Sequence, residues 1–333
     1  MTTPQSALLA DIGATNARFG LLDGTEVGPI ETYAVADYAS PVEAARAFLA
    51  GPASGQKPER ALIAAAGPLV NGRIVLTNAA WTVDADRIGR GLNMTSVEVL
   101  NDFEALGWSL PALQADDIFT LGAAAAASSA AAASSAAAGP RGTMAVMGPG
   151  SGFGLSAIAF GPSGETVLVT EGGHATLSSE GRREDAIILA LRQQQHHVSI
   201  EAVLSGPGLV RLYHAIARVD GTAVPERDSS EIVAHAEAKD CKVSLEALEL
   251  FCAFLGSVAG NVALTLGARS GVFIGGGIAS RFPDFLRHSA FRERFEAKGR
   301  MSTYLAQIPT AIIMRPNPAF LGLAYLARKS MDQ

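Results

Sequence analysis

Short apolar runs alternate with stretches of helical character along the first hundred residues, which is the pattern of an α/β domain. Two of these runs, Leu8–Asp11 and Ala17–Leu22, flank a glycine-containing turn, so we expect a hairpin. Further strands are predicted at residues 61–65, 73–76 and 97–100, and helices at residues 41–49 and directly after Asn101.

A second hairpin is predicted at Met144–Met147 and Phe153–Phe160, again around a glycine-rich turn, followed by a strand at residues 166–170. The unit of strand, glycine turn and strand therefore occurs twice, which is a weak internal repeat. Residues 123–138 between the two units are only Ala and Ser, and we expect a surface loop or a solvent-facing helical turn without a chemical role.

The rest of the chain is mostly helical in pattern. Helices are predicted to start at Ser199 and at Gly206–Pro207, and a long one to span Val243–Leu266. Strands are expected at residues 271–274 and 311–314, with a helix start after the first and a closing helix at 318–329. The uncharged run Leu250–Ala268 is long enough to cross a membrane, but glycines and polar residues dilute it, and a buried core helix is the better interpretation.

Composition and charge narrow the class of protein. Of 333 residues, 48% are hydrophobic and 17% charged, which argues against disorder. The net charge is −6, so we expect no nucleic-acid partner. The N-terminus lacks the basic region of a signal peptide, so neither secretion nor a membrane partner is indicated. Cys241 and Cys252 have no metal-ligand spacing and are expected to be buried thiols of a cytoplasmic protein.

Three glycine-rich turns are candidates for holding an anion, because glycines let backbone amides converge on one point. They are the segments 11–16, 148–154 and 275–277. None matches a P-loop or a dinucleotide-binding fingerprint. Each alone could be only a tight turn, but two similar hairpins and a third loop together favour a phosphate clamp.

Polar side chains follow two of the predicted strands. Asn101 and Asp102 come directly after the strand 97–100, at the end where α/β sheets bind ligands. Asp102 could instead only cap the next helix. Glu171 and His174 follow the strand 166–170 with two glycines between them, a spacing that suits a polyhydroxylated ligand.

Seven sequence segments, found in a fixed order along the chain, together resemble a known protein family. The similarity extends over most of the chain, from about Leu8 to Ala327. The chain resembles the bacterial hexokinase-type glucokinases of the actin-like ATPase superfamily. The segments are Ala10–Arg18, Leu76–Asn78, Leu100–Phe103, Gly148–Gly154, Glu171–His174, Ser199–Leu209 and Gly275–Ile278. The zinc motif of the sister ROK branch of sugar kinases and repressors is missing.

The resemblance implies an α/β protein with the two-domain actin-like ATPase (ribonuclease H-like) fold, with a cleft between a small and a large domain. The small domain is expected at residues 1–112 plus 316–333, and the large one at 113–315. Relatives are usually homodimers, so a homodimer is expected here.

The resemblance also assigns roles to residues. Asp102 occupies the position of the catalytic base and contacts the sugar. Asp11 occupies the position that orients Mg²⁺ through water. The remaining sugar-binding positions are Asn78, Asn101, Glu171, His174 and Glu201. The nucleotide-binding positions are Asp11, Gly13, Ala14, Thr15, Asn16, Gly150, Ser151, Gly152, Gly275, Gly276 and Gly277.

The implied activity is that of a glucokinase, an ATP-dependent glucose 6-phosphotransferase that uses ATP with Mg²⁺ in the first step of glycolysis. A kinase for another hexose, a non-catalytic sugar-sensing protein and an actin-related assembly ATPase are the alternatives. The sequence leaves open whether the donor is ATP, ADP or polyphosphate.

Overall fold

The computed structural model describes residues 6–76, 79–122 and 142–330. The Ala/Ser run 123–138 lies outside these ranges. The chain divides into two compact units, which we call the terminal unit (Met1–Leu113 and Pro316–Gln333) and the central unit (Gln114–Arg315). The predicted domain boundaries lie within one residue of this division.

The described strands and helices follow each other as mixed α/β elements. The strands are β1 Ala7–Ile12, β2 Asn16–Asp23, β3 Glu26–Val27, β4 Glu31–Ala34, β5 Arg60–Ala65, β6 Arg73–Val75, β7 Thr82–Asp84, β8 Ser96–Asn101, β9 Ile118–Thr120, β10 Met144–Pro149, β11 Phe153–Gly161, β12 Gly164–Thr170, β13 Val272–Ile274 and β14 Thr310–Ile313. The α-helices are α1 Pro41–Ala50, α2 Ala85–Leu92, α3 Asp102–Ser109, α4 Arg182–Arg192, α5 Ile200–Val203, α6 Gly206–Val219, α7 Ser229–Glu237, α8 Lys242–Leu266, α9 Pro283–His288, α10 Phe291–Glu296, α11 Ser302–Ala306 and α12 Pro318–Lys329.

The sheet of the terminal unit has the strand order β3-β2-β1-β5-β8, and β4 also pairs with β2. β1 is antiparallel to β2 and parallel to β5, which in turn is parallel to β8. In this register Ile12 lies beside Ala65, and Ala65 beside Asn101. The carboxyl ends of β1, β5 and β8 therefore meet at one edge of the sheet, as the hairpin and strand predictions require.

The sheet of the central unit has the order β12-β11-β10-β13-β14-β9. Within it, β10 is antiparallel to β11 and parallel to β13, and β13 is parallel to β14. Five strands thus repeat the plan of the terminal unit, and β9 is added at the edge. The weak repeat found in the sequence is confirmed as a repeat of topology.

Helix starts agree with the capping residues in the sequence. Ser40 caps α1 with a bond from the Glu43 N–H (3.3 Å), and Pro41 occupies the first turn, where it costs no hydrogen bond. Ser199 caps α5, and α6 begins at Gly206 with Pro207 in its first turn, as predicted; the structure adds Ser205 as the cap of α6. After residues 275–277, the predicted helix start is a 3-10 turn at Ala279–Arg281, and α9 begins only at Pro283.

Helix α8 is the core helix of the central unit. Among the described residues it is the one helix long and apolar enough to cross a membrane, yet 78% of its most apolar window is buried inside the protein. Gly256 and Gly260, which dilute its hydrophobicity, face the carbonyls of Phe291 and Phe295 in α10 so closely that a Cβ would collide with them. The prediction of a buried helix is confirmed, since the glycines serve close helix packing.

The two cysteines are free but differ in environment. Cys252 is fully buried, and burial raises the pKa of its thiol to about 12. The expectation that both thiols are buried is wrong for Cys241, which is half-buried at the start of α8. Partial burial opposes ionisation there, but hydrogen bonds with Ser244 and the nearby Arg227 outweigh it and lower the pKa of Cys241 to about 7.

Candidate active site

The first glycine turn, Gly13–Asn16, joins β1 to β2 at the carboxyl edge of the terminal sheet. It is closed by a hydrogen bond from the Gly13 N–H to the Asn16 carbonyl (2.9 Å), and Val35 N–H donates to the Thr15 carbonyl (2.9 Å). Gly13 has room: a Cβ there would meet only the Asn16 carbonyl, at an ordinary 3.6 Å. Thr15 is exposed and Ala14 half-buried, so the turn is accessible to a ligand.

Asp11 lies on β1 just before this turn and faces Arg18 across the hairpin, with 3.5 Å between their side chains. Burial raises the pKa of the Asp11 carboxyl above its ordinary 3.8, and the charge of Arg18 only partly offsets this. A nearby cation would stabilise the ionised form of this carboxylate. A single carboxylate together with nucleotide phosphates is also a common way to hold Mg²⁺, so Asp11 fits the metal role that the resemblance implies.

Asn101 and Asp102 lie where β8 ends and α3 begins. The Asn101 side-chain oxygen accepts from the Phe103 and Glu104 N–H groups (2.9 and 3.3 Å), and its amide donates to the Gly67 carbonyl (3.0 Å). Asn101, rather than Asp102, is therefore the helix cap. Asp102 Oδ1 accepts from the Phe103 N–H (2.9 Å), and the half-buried carboxylate is fixed in the first turn of α3.

The second and third glycine turns of the central unit pack directly on each other. They follow the neighbouring parallel strands β10 and β13, and the Gly275 N–H donates to the Met147 carbonyl (2.8 Å). A Cβ on Gly148 would collide with the Gly275 carbonyl, and one on Gly276 with the Pro149 carbonyl. Gly276 also has φ +85°, in the left-handed region that favours glycine. Glycine is required here for close backbone contact.

Glu201 lies on α5 and reaches the second turn. Its Oε2 accepts from the Phe153 N–H (2.8 Å), and a Cβ on Gly152 would collide with the same oxygen. The Gly206 N–H at the start of α6 donates to the Gly150 carbonyl (3.0 Å). The corner between α5 and α6 therefore borders the turn 150–152.

The Glu171–His174 turn follows β12 and is largely exposed, with 3.8 Å between His174 Nε2 and Glu171 Oε2. Its buried Gly173 packs so tightly on the Phe153 carbonyl that a Cβ would collide there. The Ile200 N–H donates to the Ala175 carbonyl (2.9 Å), which attaches the segment after the turn to α5. The backbone around Phe153 therefore connects the Glu171–His174 turn with Glu201.

The predicted site residues thus form two sets, one in each unit. In the terminal unit, Asp11, the first turn, Asn101 and Asp102 share one sheet edge. In the central unit, the turns 150–152 and 275–277 share a second sheet edge, and Glu201 contacts the first of them. Asn78 lies outside the described residues.

Sequence analysis missed two backbone groups that position these side chains. Gly67, with φ +131°, supplies the carbonyl that holds the Asn101 amide, and Phe153 supplies the N–H bound by Glu201. The Ala66–Gly67 pair after β5 was a signal for the first, because a glycine at a strand end often allows an unusual backbone angle. No local signal marks the second, which joins residues 48 positions apart.

Sequence comparison relates this chain to the proteins of one family. The family model described as Glucokinase matches residues 8–330. A glucokinase from Paramagnetospirillum magneticum is 42% identical, covering 97% of this chain and 97% of that protein. One from Aromatoleum aromaticum is 40% identical, covering 95% and 93%.

The chain belongs to the glucokinase family. The crystal structure of a glucokinase from an Antarctic psychrotroph matches with a TM-score of 0.85 at 35% identity, covering 98% of this chain and 99% of that one. The predicted two-domain actin-like ATPase fold is therefore confirmed. The family also supports the prediction of glucose phosphorylation.

Proposed function

We propose that this protein transfers the γ-phosphoryl group of ATP to the 6-hydroxyl of D-glucose, giving glucose 6-phosphate and ADP. Family membership supports this activity, and the observation that carries the mechanism is the Asp102 carboxylate fixed at the carboxyl end of β8. Phosphoryl transfer depends mainly on positioning and charge neutralisation, which a rigid strand end and amide-rich turns can supply.

Asp102 is the general base in this proposal. It accepts the proton of the 6-hydroxyl as that oxygen bonds to the γ-phosphorus, and the bond from the γ-phosphorus to the bridging oxygen breaks as ADP leaves. The Asn101 side chain is committed to capping α3 and to Gly67, so its main contribution is to fix the position of Asp102, with its second amide hydrogen available to a sugar hydroxyl.

Sugar hydroxyls are bound by Asn78, Glu171, His174 and Glu201, which provide hydrogen-bond acceptors and donors for several hydroxyls. The exposure of Glu171 and His174 leaves their polar atoms accessible to such a ligand. A sugar that leaves one of these groups unpaired is expected to bind more weakly by about 1–3 kcal/mol. Glucose is therefore preferred over its epimers.

Nucleotide phosphates bind at the turns Gly13–Asn16 and Gly150–Gly152 in this proposal, where the hydroxyls of Thr15 and Ser151 add hydrogen-bond donors, and residues 275–277 face the adenosine. Asp11 would hold Mg²⁺ through water, and the ion would supply positive charge that neutralises the phosphates. We also propose that the enzyme is a homodimer and acts in the cytoplasm. Light scattering on the purified protein tests the dimer by its molar mass.

A coupled assay tests the proposed function. Purified protein is given glucose with ATP, ADP or polyphosphate in turn, and then ATP with mannose, galactose, fructose, glucosamine or N-acetylglucosamine. The expected result is turnover with ATP and glucose at the highest kcat/KM. Equal kcat/KM for another hexose would contradict the glucose assignment, and ATP hydrolysis without any sugar preference would indicate an assembly ATPase.

A further inference from the structure

The Glu201 carboxylate is bound to the backbone of the second glycine turn. Its Oε2 accepts the Phe153 N–H at 2.8 Å, and it lies where a Cβ of Gly152 would be. The residue is only half-buried, so its carboxylate remains accessible to a ligand. A carboxylate has two oxygens and about four acceptor sites, so one bond to the turn leaves capacity for a sugar hydroxyl.

Other hydrogen bonds place the same turn relative to α6. The Gly150 N–H donates to the Gly152 carbonyl (2.8 Å), and the Gly150 carbonyl accepts from the Gly206 N–H (3.0 Å). The Ser205 hydroxyl donates to the Glu201 carbonyl (2.8 Å), so the helix corner that carries Glu201 is itself fixed. A shift of the Glu201 side chain would therefore act on the turn and leave the corner in place.

We propose that Glu201 is a positioning residue for the phosphate-binding turn as well as a sugar contact, and that this shared carboxylate couples glucose binding to nucleotide binding. The proposal rests on the proposed function, which assigns the sugar to Glu201 and the phosphates to the turn. A sugar hydroxyl that binds Glu201 restricts its side chain in the orientation that holds the Phe153 N–H. Because binding linkage is reciprocal, nucleotide on the turn must then favour glucose by the same factor.

Calorimetry tests the proposed coupling. It measures the binding of D-glucose and of the non-hydrolysable ATP analogue AMPPNP, each alone and in the presence of the other. Glu201→Ala is expected to weaken analogue binding about tenfold even without sugar, since it removes one hydrogen bond to a charged acceptor. A residue that only contacts sugar would leave this sugar-free affinity unchanged. Glu201→Gln keeps the size and a weaker acceptor, so about a threefold loss is expected.

His174→Ala is the matched control, because it removes a proposed sugar contact whose side chain has no bond to the turn. It is expected to weaken glucose binding with less than a twofold change in sugar-free analogue affinity. The coupling factor between the two ligands should fall toward one in the Glu201 variants and persist in His174→Ala.

Substitutions at two glycines of the turn test whether a change in the turn alters glucose binding. Gly152→Ala places a methyl group on the Glu201 carboxylate and should weaken glucose binding at least threefold without any nucleotide present. Gly150→Ala meets nothing within 4 Å, so its glucose affinity should stay within twofold of the wild type. Thermal unfolding of each variant confirms that it is folded.

The outcomes separate the two proposals. If wild-type protein binds neither ligand, the proposed function fails and the coupling with it. If it binds both, and Glu201→Ala and Glu201→Gln leave sugar-free analogue affinity within twofold, the positioning role is overturned while the proposed function stands. Equal glucose affinity in Gly152→Ala and Gly150→Ala would likewise overturn the coupling.

Discussion

The terminal and central units use the same five-strand plan for different chemistry. Each contains a hairpin around a glycine turn, and two further parallel strands extend the sheet from the first strand of that hairpin. In the terminal unit, charged side chains occupy the edge, with Asp11 on the first strand and Asp102 after the last. In the central unit the hairpin strand β10 ends in Gly148 and Pro149, and β14 is followed by Met314 and the cation Arg315, so neither corresponding position holds a carboxylate.

The two units therefore share one strand topology but differ in the packing and the side chains around their glycine turns. A Cβ at Gly13 in the terminal turn would meet no close contact. The two central turns, by contrast, contact each other through their backbones, and the Glu201 side chain contacts one of them. The proposed base and the proposed metal-binding carboxylate both lie in the terminal unit, whereas the central unit provides the closely packed turns and the proposed sugar contacts Glu171, His174 and Glu201. Substitutions in the two units should therefore affect different properties, either turnover or stability.

Asp102→Asn should have the largest effect. Loss of the general base is expected to lower kcat by about 10²–10⁴-fold, with glucose still bound, as single-turnover kinetics and calorimetry would show. Glu104→Gln, which changes a carboxylate two residues further along α3, is the control and should keep kcat within about threefold. A variant of Asp102 that retains more than about a tenth of wild-type kcat would contradict the base assignment.

Alanine in the two turns tests the contrast in packing. Gly148→Ala forces a methyl group against the Gly275 carbonyl and should lower the free energy of unfolding by about 1–3 kcal/mol. Gly13→Ala meets only an ordinary contact at 3.6 Å and should change it by less than about 0.5 kcal/mol. Urea unfolding measures both, and equal losses would mean that the two turns are equally constrained.

Asp11→Asn tests the electrostatic side of the comparison through its effect on thermal stability. Because burial raises the pKa of Asp11 in the folded state, the ionised carboxyl reduces stability once the pH exceeds the unfolded value of 3.8. The variant should therefore melt a few degrees higher than the wild type at pH 7, and the difference should vanish as the pH falls below 3.8.

The same substitution should reduce turnover, because it removes the carboxylate proposed to hold Mg²⁺ through water. Activity titrated with MgCl₂ would show a higher metal requirement. A lower Tm at pH 7 would mean that the attraction of Arg18, 3.5 Å away, outweighs the burial of Asp11.

Sequence patterns located most of these features in advance. The two hairpins, the helix starts at Ser199 and at Gly206–Pro207, and the helix at Pro318–Lys329 follow from local signals that act over a few residues. The short edge strands were missed, because short strands owe their stability to their neighbours. The helix Ala85–Leu92 was also missed, since Gly89 and Gly91 within it disfavour a helix.

The identity of the chemical groups was thus determined by the sequence alone: a carboxylate after a buried strand, amides in glycine turns, and acceptors spaced for a sugar. Only the tertiary structure decided that the Asn101 amide donates to the Gly67 carbonyl, that the backbone at Gly148 contacts Gly275, and that Glu201 accepts the Phe153 N–H. These contacts join residues far apart in the chain. Strand order and helix packing bring them together, and no local pattern of hydrophobic and polar positions records them.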